Sequence, residues 1–189
     1  MINEFFSELA CNNSRNYKLD RLKANSDNIL LKEVIRLALD PFTNFYIKKI
    51  PEYTASGYNR PLSESIEMLS QLSDRVYTGN AGIQFLLDIL SNSREEDAKV
   101  IERIINKDLR CGVSVSTANA VWKGLIEEFP YMRCALPKAV KLNEWNWKDG
   151  VFSQLKADGS YANLIYSGGQ VRSEEHTSEL QSHSFISYA

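Results

Sequence analysis

From its start to about residue 141, the chain carries apolar residues at intervals of three and four positions, the spacing of one α-helix face. Four such stripes precede residue 93, and they begin at Ile2, Leu30, Ile66 and Ile83. A fifth helix is predicted to start at Ser93, because Ser93 and Glu96 have the spacing of a capping box. Gly112 stands where its left-handed cap is expected. We interpret the stripes as the core packing of a helical domain over residues 1–136.

The texture of the sequence changes after this domain. Pro137 and the turn-rich segment NEWNWKDG predict a linker over residues 137–150. Beyond it, residues 151–156 and 161–166 are predicted to form two β-strands. The expected fold class is therefore mainly α: an all-helical domain followed by the first β-hairpin of a second, truncated domain over residues 151–171.

Composition narrows the class of protein. The 189 residues are 43% hydrophobic and 24% charged, as is typical of a soluble globular protein. No stretch reaches the roughly 18 apolar residues of a membrane span, so no membrane partner is expected. Three cysteines are too few for a disulfide framework or a zinc site, and a reducing cytoplasm is the expected compartment. The net charge of −2 comes from residues 172–189, and the chain before them is formally neutral.

The segment KDLRCGVSVSTANAVWKG joins the fifth helix to a further short helix. Small hydroxyl and amide side chains lie there beside backbone amides at a helix start, and basic residues, Lys107 among them, flank the turn. Such a place suits a phosphate, although a solvated face with ordinary capping accounts for the same residues. No spacing here indicates the reading of bases. The candidate phosphate contacts are Arg110, Ser114, Ser116, Thr117, Asn119 and Lys123.

The segment KADG, residues 156–159, places a lysine at the end of a predicted strand and before a tight turn. The amine of Lys156 could attack the α-phosphate of ATP, with pyrophosphate leaving and a divalent metal offsetting the charge. Such a site must favour the neutral amine by about 3 to 4 kcal/mol at neutral pH. Gly159 would allow a close approach of the backbone to the nucleotide, and Asp158 could orient the lysine. An ordinary hairpin with an exposed turn is the alternative.

Several segments in this order resemble ATP-dependent DNA ligases of the T-even bacteriophage type: NILLKEVIRLAL, FYIKKIP, TGNAGI, KDLRCGVSVSTANAVWKGLI and FSQLKADG. The resemblance covers most of residues 1–171. It implies a helical domain that grips duplex DNA around a nick, then an α+β nucleotidyltransferase (adenylation) domain. Lys156 would be the adenylated nucleophile, assisted by Asp158, and the other nucleotide-binding residues would be Gln154, Leu155 and Gly159. Tyr161 stands where the family usually has arginine.

The resemblance implies a reaction in three steps. Lys156 takes AMP from ATP, AMP passes to the 5′-phosphate at a nick, and the 3′-hydroxyl displaces it. The implied cofactors are ATP and Mg²⁺, and the implied partner is nicked double-stranded DNA. A monomer in the host cytoplasm, with roles in DNA replication, repair and recombination, is expected.

The family's later motifs are absent from the chain, including those for the metal, the phosphate-binding lysines and the terminal OB-fold. We therefore expect no metal ligand here and no activity of the chain as given. Two alternatives stay open. One is an RNA ligase or capping-type nucleotidyltransferase, which shares the Lys-x-Asp-Gly chemistry. The other is a non-enzymatic helical DNA-binding module.

The last residues of the chain, 172–189, contain the segments RSEEHTSELQSH and ISYA. Read back through the genetic code, both match the flanks of a commonly used sequencing-library adapter. We interpret this segment as adapter-derived rather than native. Its two histidines, His176 and His183, are accordingly assigned no function.

Overall fold

The computed structural model describes residues 2–55, 60–128, 141–150, 162–167 and 170–175. The chain divides into two compact units, Met1–Glu128 and Phe129–Ala189. The described part of the first unit holds seven helices: α1 (Ile2–Ala10), α2 (Arg15–Ala24), α3 (Ile29–Leu39), α4 (Leu62–Ser73), α5 (Gly79–Ser91), α6 (Glu95–Ile105) and α7 (Val115–Val121). The expectation of a mainly helical fold is confirmed.

Helix α6 lies at the centre of the first unit. It packs against α1, α3, α4 and α5, whereas α2 packs against α7. Val100, Ile101 and Ile104 of α6 are fully buried, and the predicted stripes of the neighbouring helices supply the other walls of the core. Val76 lies beyond the end of α4 and is exposed.

The predicted capping box at the start of α6 is wrong. The helix begins at Glu95, and its N-cap residue, Arg94, makes no side-chain capping hydrogen bond. The buried Ser93 hydroxyl instead donates to the Ile89 carbonyl at 2.7 Å, and it lies 3.3 Å from the Ser65 hydroxyl. A capping box would use the Ser93 oxygen to accept from the backbone amide of Glu96, whereas here the hydroxyl is buried beside the end of α5.

Helix α6 also ends earlier than the sequence indicated. Its C-cap is Asn106, and the left-handed residue that follows is Lys107, with a φ of 55°. Gly112 is left-handed as expected, with a φ of 65°, but it belongs to the next turn rather than to the helix cap. Gly112 lies six residues beyond Asn106, the C-cap of α6, so the glycine predicted the end of the helix too far along the chain.

Helix α2 has no apolar stripe, and sequence periodicity does not reveal it. Its sequence RNYKLDRLKA alternates polar and apolar residues without a helical period. Ser14 caps its start by accepting a hydrogen bond from the Tyr17 amide. Leu22 and Lys18 are its buried residues. The helix is stabilised by its packing on α7, which the sequence of α2 alone does not show.

In the second unit, short 3₁₀ turns span Leu142–Glu144 and Trp147–Asp149. Strands β1 (Ala162–Ser167) and β2 (Gln170–Glu175) pair antiparallel, from Ala162 opposite Glu175 to Ser167 opposite Gln170. Strand β1 overlaps the predicted second strand. The predicted first strand, its turn and the boundary at residue 136 lie outside the described residues. The division into domains, including the adapter-derived segment, therefore stays a prediction.

Within the described ranges, no helix is both long and apolar enough to cross a membrane.

Candidate nucleic-acid interface

The predicted nucleotide site lies outside the residues that the structure describes. This holds for Lys156 and Asp158, the predicted catalytic pair. It holds equally for the other nucleotide contacts, Gln154, Leu155 and Gly159, and for Tyr161. Their assignments stay predictions. The candidate site that the structure does describe is the turn between α6 and α7 together with the segment after α7.

The turn from residue 109 to residue 114 alternates between the core and the solvent. Leu109, Cys111 and Val113 are buried, whereas Arg110, Gly112 and Ser114 are exposed. Three apolar side chains thereby anchor the turn, and the three residues between them face outward. This alternation has the period of a strand rather than of a helix, although no strand forms here.

Two groups hold the turn in place. Arg110 is left-handed, with a φ of 51°, and its amide donates to the Asp108 carboxylate at 2.8 Å. The guanidinium of Arg103 donates to the Leu109 carbonyl. It also donates to the side-chain oxygen of Asn3 at 3.2 Å. Arg103 is therefore a support for the turn, and Arg110 is the exposed guanidinium that it presents.

The hydroxyls predicted to contact phosphate form one cluster at the start of α7. The Ser114 oxygen lies 3.0 Å from the Ser116 hydroxyl and 3.1 Å from the Thr117 hydroxyl, and it accepts a hydrogen bond from the Thr117 amide. Ser114 and Ser116 are exposed, while Thr117 is 3% exposed. The described geometry thus places two of these hydroxyls at the surface and one in the interior. Since α7 has seven residues, its dipole adds little to the site.

Asn119 lies in the last turn of α7, and Lys123 lies in the segment that follows the helix. Both ends of the Asn119 amide bind the backbone of Ile126, at 2.9 Å each. The indole of Trp122, which is 9% exposed, donates to the Ser26 carbonyl at 3.0 Å. Lys123 is exposed between these two fixed points. Asn119 therefore shapes the segment, and Lys123 is the side chain available to a ligand.

Lys107, which the sequence placed among the basic residues flanking the turn, has an interior role. Its Nζ donates to the carbonyls of Leu37 (2.7 Å) and Asp40 (2.5 Å) at the end of α3, and it lies 5.9 Å from the centre of the Phe45 ring. Burial lowers the pKa of Lys107 to about 8, against the opposing effect of the Asp40 carboxylate. Its placement among the phosphate-flanking bases was therefore wrong.

Lys18 of α2 is a cation at this turn that the sequence analysis missed. Its side chain is 5% exposed, and its Nζ lies 2.6 Å from the position that a Cβ on Gly112 would occupy. Nothing in the local sequence of α2 distinguishes Lys18 from Lys23, which is exposed. The packing of α2 against α7 makes the difference.

The exposed groups of this surface are donors of the kind that bind phosphate: a guanidinium, an ammonium and two hydroxyls. We refer to Arg110, Gly112, Ser114, Ser116 and Lys123 as the donor surface. Over the described residues, no cluster of three or more His, Cys, Asp or Glu side chains could hold a metal ion.

Comparison with known proteins identifies the class. Two solved structures, titled "Pmar-Lig_PreS3" and "Pmar-Lig_Pre.", resemble the chain with a TM-score of 0.61 each and identities of 28% and 27%. Each match covers 65% of this chain and 29% of the solved chain. The part of the chain that these matches cover therefore shares its fold with both structures. No family model matches the chain.

The sequence relatives are more specific. Over 164 residues the chain is 38% identical to the DNA ligases of Enterobacteria phages T4 and T6, and each match covers 85% of this chain. The chain is a segment of a DNA ligase of the T-even phage type, as its motifs indicated. It spans about a third of the length of these relatives, with 34% of each covered.

Proposed function

We propose that the protein represented by this segment seals nicks in duplex DNA through a lysyl-AMP intermediate, with ATP as the nucleotide. One observation carries the proposal: the 38% identity over 164 residues to two phage DNA ligases. The Lys-Ala-Asp-Gly sequence at residues 156–159 supports it, because a lysine that is to be adenylated needs a close-approaching backbone and an orienting carboxylate.

In the first step, the neutral amine of Lys156 attacks the α-phosphorus of ATP. A P–N bond forms, the P–O bond to pyrophosphate breaks, and the amine loses its proton. Asp158 orients the lysine, while Gln154, Leu155 and Gly159 line the adenosine side. Mg²⁺ would supply charge compensation on the phosphates. Among the described residues, no cluster of three or more His, Cys, Asp or Glu side chains could hold this ion.

The later steps transfer the same AMP. An oxygen of the 5′-phosphate at the nick attacks the α-phosphorus, and the P–N bond to Lys156 breaks. The 3′-hydroxyl then attacks the activated 5′-phosphorus, and AMP leaves as the phosphodiester forms. Both reacting ends must be held in line. We propose that the helical unit helps to hold the two ends, because its donor surface suits the backbone of duplex DNA without regard to sequence.

The test uses the uninterrupted native gene, expressed past residue 171. Incubation with ATP labelled at the α-phosphate should label the protein, and Lys156→Ala should abolish the label on a denaturing gel. Nicked duplex DNA should be sealed, whereas nicked RNA should not. Label that survives Lys156→Ala would overturn the nucleophile assignment, and sealing restricted to RNA would favour an RNA ligase.

The 189-residue chain is expected to form no stable AMP adduct. A lone lysine stays protonated at neutral pH unless burial and neighbouring cations favour the amine. Loss of one preorganised donor typically costs about 10²–10³ in rate, and several would be lacking. An adduct on this chain, removed by Lys156→Ala, would show that the segment suffices for the first step.

A further inference from the structure

Lys18 is a buried cation placed against an exposed turn. It lies in α2, its side chain is 5% exposed, and its Nζ stands 2.6 Å from where a Cβ on Gly112 would lie. Gly112 is exposed and left-handed, with a φ of 65°. The ammonium therefore occupies the space that a side chain at position 112 would fill, at the boundary between the core and the donor surface.

No described residue neutralises this ammonium. Within the ranges that the structure covers, Lys18 Nζ forms no hydrogen bond and no ion pair, in contrast to Lys99, which pairs with Glu95 and Glu96. Although the residue is buried, its Nζ atom still reaches solvent beside Gly112. An unpaired ammonium at the surface is available to an anion that binds from outside.

The groups around Gly112 specify the kind of anion. Arg110 and Ser114 stand two residues to either side of Gly112 in the sequence, and both are exposed. The nearby carboxylate of Asp108 is already bound to the amide of Arg110. Burial raises the pKa of the Cys111 thiol inside the turn. The positive charge of Lys18 opposes this rise. An ammonium, a guanidinium and a hydroxyl together match the oxygens of a phosphate.

We propose that Lys18 is a phosphate-contacting residue of the donor surface. It binds a phosphodiester of the duplex backbone above Gly112, together with Arg110 and Ser114. A side chain at position 112 would have to displace the ammonium, and the left-handed backbone there favours glycine as well. This inference rests on the proposed function, since it assumes that the helical unit binds DNA.

The test is the salt dependence of duplex binding by the 189-residue chain. Each phosphate contact contributes about 0.9 to the slope of log K against log salt. Lys18→Met should therefore lower the slope by about 0.9 and weaken binding by roughly eightfold at 0.1 M salt, equally for all duplex sequences. Lys23→Met is the matched control, because Lys23 is an exposed lysine of the same helix. It should leave the slope unchanged.

A merely structural role for Lys18 predicts a different result. In that case Lys18→Met would lower the melting temperature while the salt slope of the folded protein stayed at its original value, and the proposal would be overturned. Lys18→Arg, which keeps the charge, should keep the slope. If Lys18→Met does not fold, as judged by circular dichroism, Lys18→Gln replaces it. Loss of the fold in both neutral variants would likewise assign Lys18 to the structure alone.

Failure of the proposed function has its own signature. If the unmodified chain binds no duplex DNA at low salt, the DNA-binding function itself is wrong. If the unmodified chain binds duplex DNA and Lys18→Met binds with the same salt slope, the DNA-binding function is retained. The assignment of Lys18 as a phosphate contact is then wrong. Inorganic phosphate at the same ionic strength is the remaining comparison: it should compete weakly, because a single phosphate engages one contact of several.

Discussion

Asn119 closes the segment after α7 by binding one residue twice. Its amide nitrogen donates to the Ile126 carbonyl and its amide oxygen accepts from the Ile126 amide, both at 2.9 Å. Ile126 is 2% exposed, so this pair ties the exposed Lys123 loop to the core. The residue that looked like a phosphate contact thus acts on the backbone of its own chain.

Asn119→Ala should destabilise the first unit by about 2 kcal/mol, because it leaves a backbone donor and a backbone acceptor without partners. Urea denaturation followed by circular dichroism measures this. Asn80→Ala is the control: Asn80 is exposed at the start of α5 and is expected to change stability by less than about 0.5 kcal/mol. Equal effects of the two substitutions would contradict the role given to Asn119.

Arg110→Ala combined with Lys123→Ala should weaken duplex binding and flatten its salt dependence. With about four phosphate contacts, raising the salt from 50 to 200 mM should cost the unmodified chain roughly 100-fold in affinity, and the double variant markedly less. Lys48→Ala combined with Lys49→Ala removes the same charge from two exposed residues outside the donor surface. If the two double variants behave alike, binding follows net charge and not this surface.

The pKa of Lys107 predicts how stability changes with pH. The folded-state pKa is about 8, below the ordinary value of 10.5, so between these pH values the unfolded chain binds more protons. Stability due to Lys107 therefore rises with pH across this window. The free energy of unfolding of the unmodified chain, minus that of Lys107→Met, should increase from below pH 8 to about pH 10. Denaturant titrations at several pH values measure it.

The matched control for this experiment is Lys32→Met, since Lys32 is exposed on α3. The free energy of unfolding of the unmodified chain, minus that of Lys32→Met, should show no comparable rise with pH. A difference for Lys107→Met that falls with increasing pH would mean that the two carbonyls, Leu37 and Asp40, stabilise the charged ammonium more than burial destabilises it.

Tyr53 fastens the segment between α3 and α4 to the central helix. Its hydroxyl donates to the Glu102 carboxylate at 2.5 Å, and burial together with this bond raises the pKa of Tyr53. Tyr53→Phe should lower the free energy of unfolding by about 1.5 kcal/mol, since hydrogen bonds to charged groups exceed neutral ones. In a double-mutant cycle with Glu102→Gln, the two substitutions should be non-additive. Strict additivity would show that the bond contributes nothing.

Several helices could be predicted from the sequence because their signal is local. The stripes of α1, α3, α4, α5 and α6 depend on the 3.6-residue period, which is written within each segment. The resemblance to phage DNA ligases was likewise carried by contiguous motifs, and the 38% identity confirms it. Helix α2 was not predicted, because its two buried residues, Lys18 and Leu22, form no apolar stripe within the segment.

The roles of individual polar side chains were decided by contacts between residues far apart in the chain. Lys107 binds a carbonyl 70 positions away, Lys18 meets Gly112 across the packing of two helices, and Ser93 finds its partners on α4 and α5. Charge and hydrogen-bonding capacity are properties of the residue, and the sequence gives them directly. Whether a charged or polar group is buried, and which acceptor it meets there, depends on how the helices pack, and the tertiary structure alone determines that.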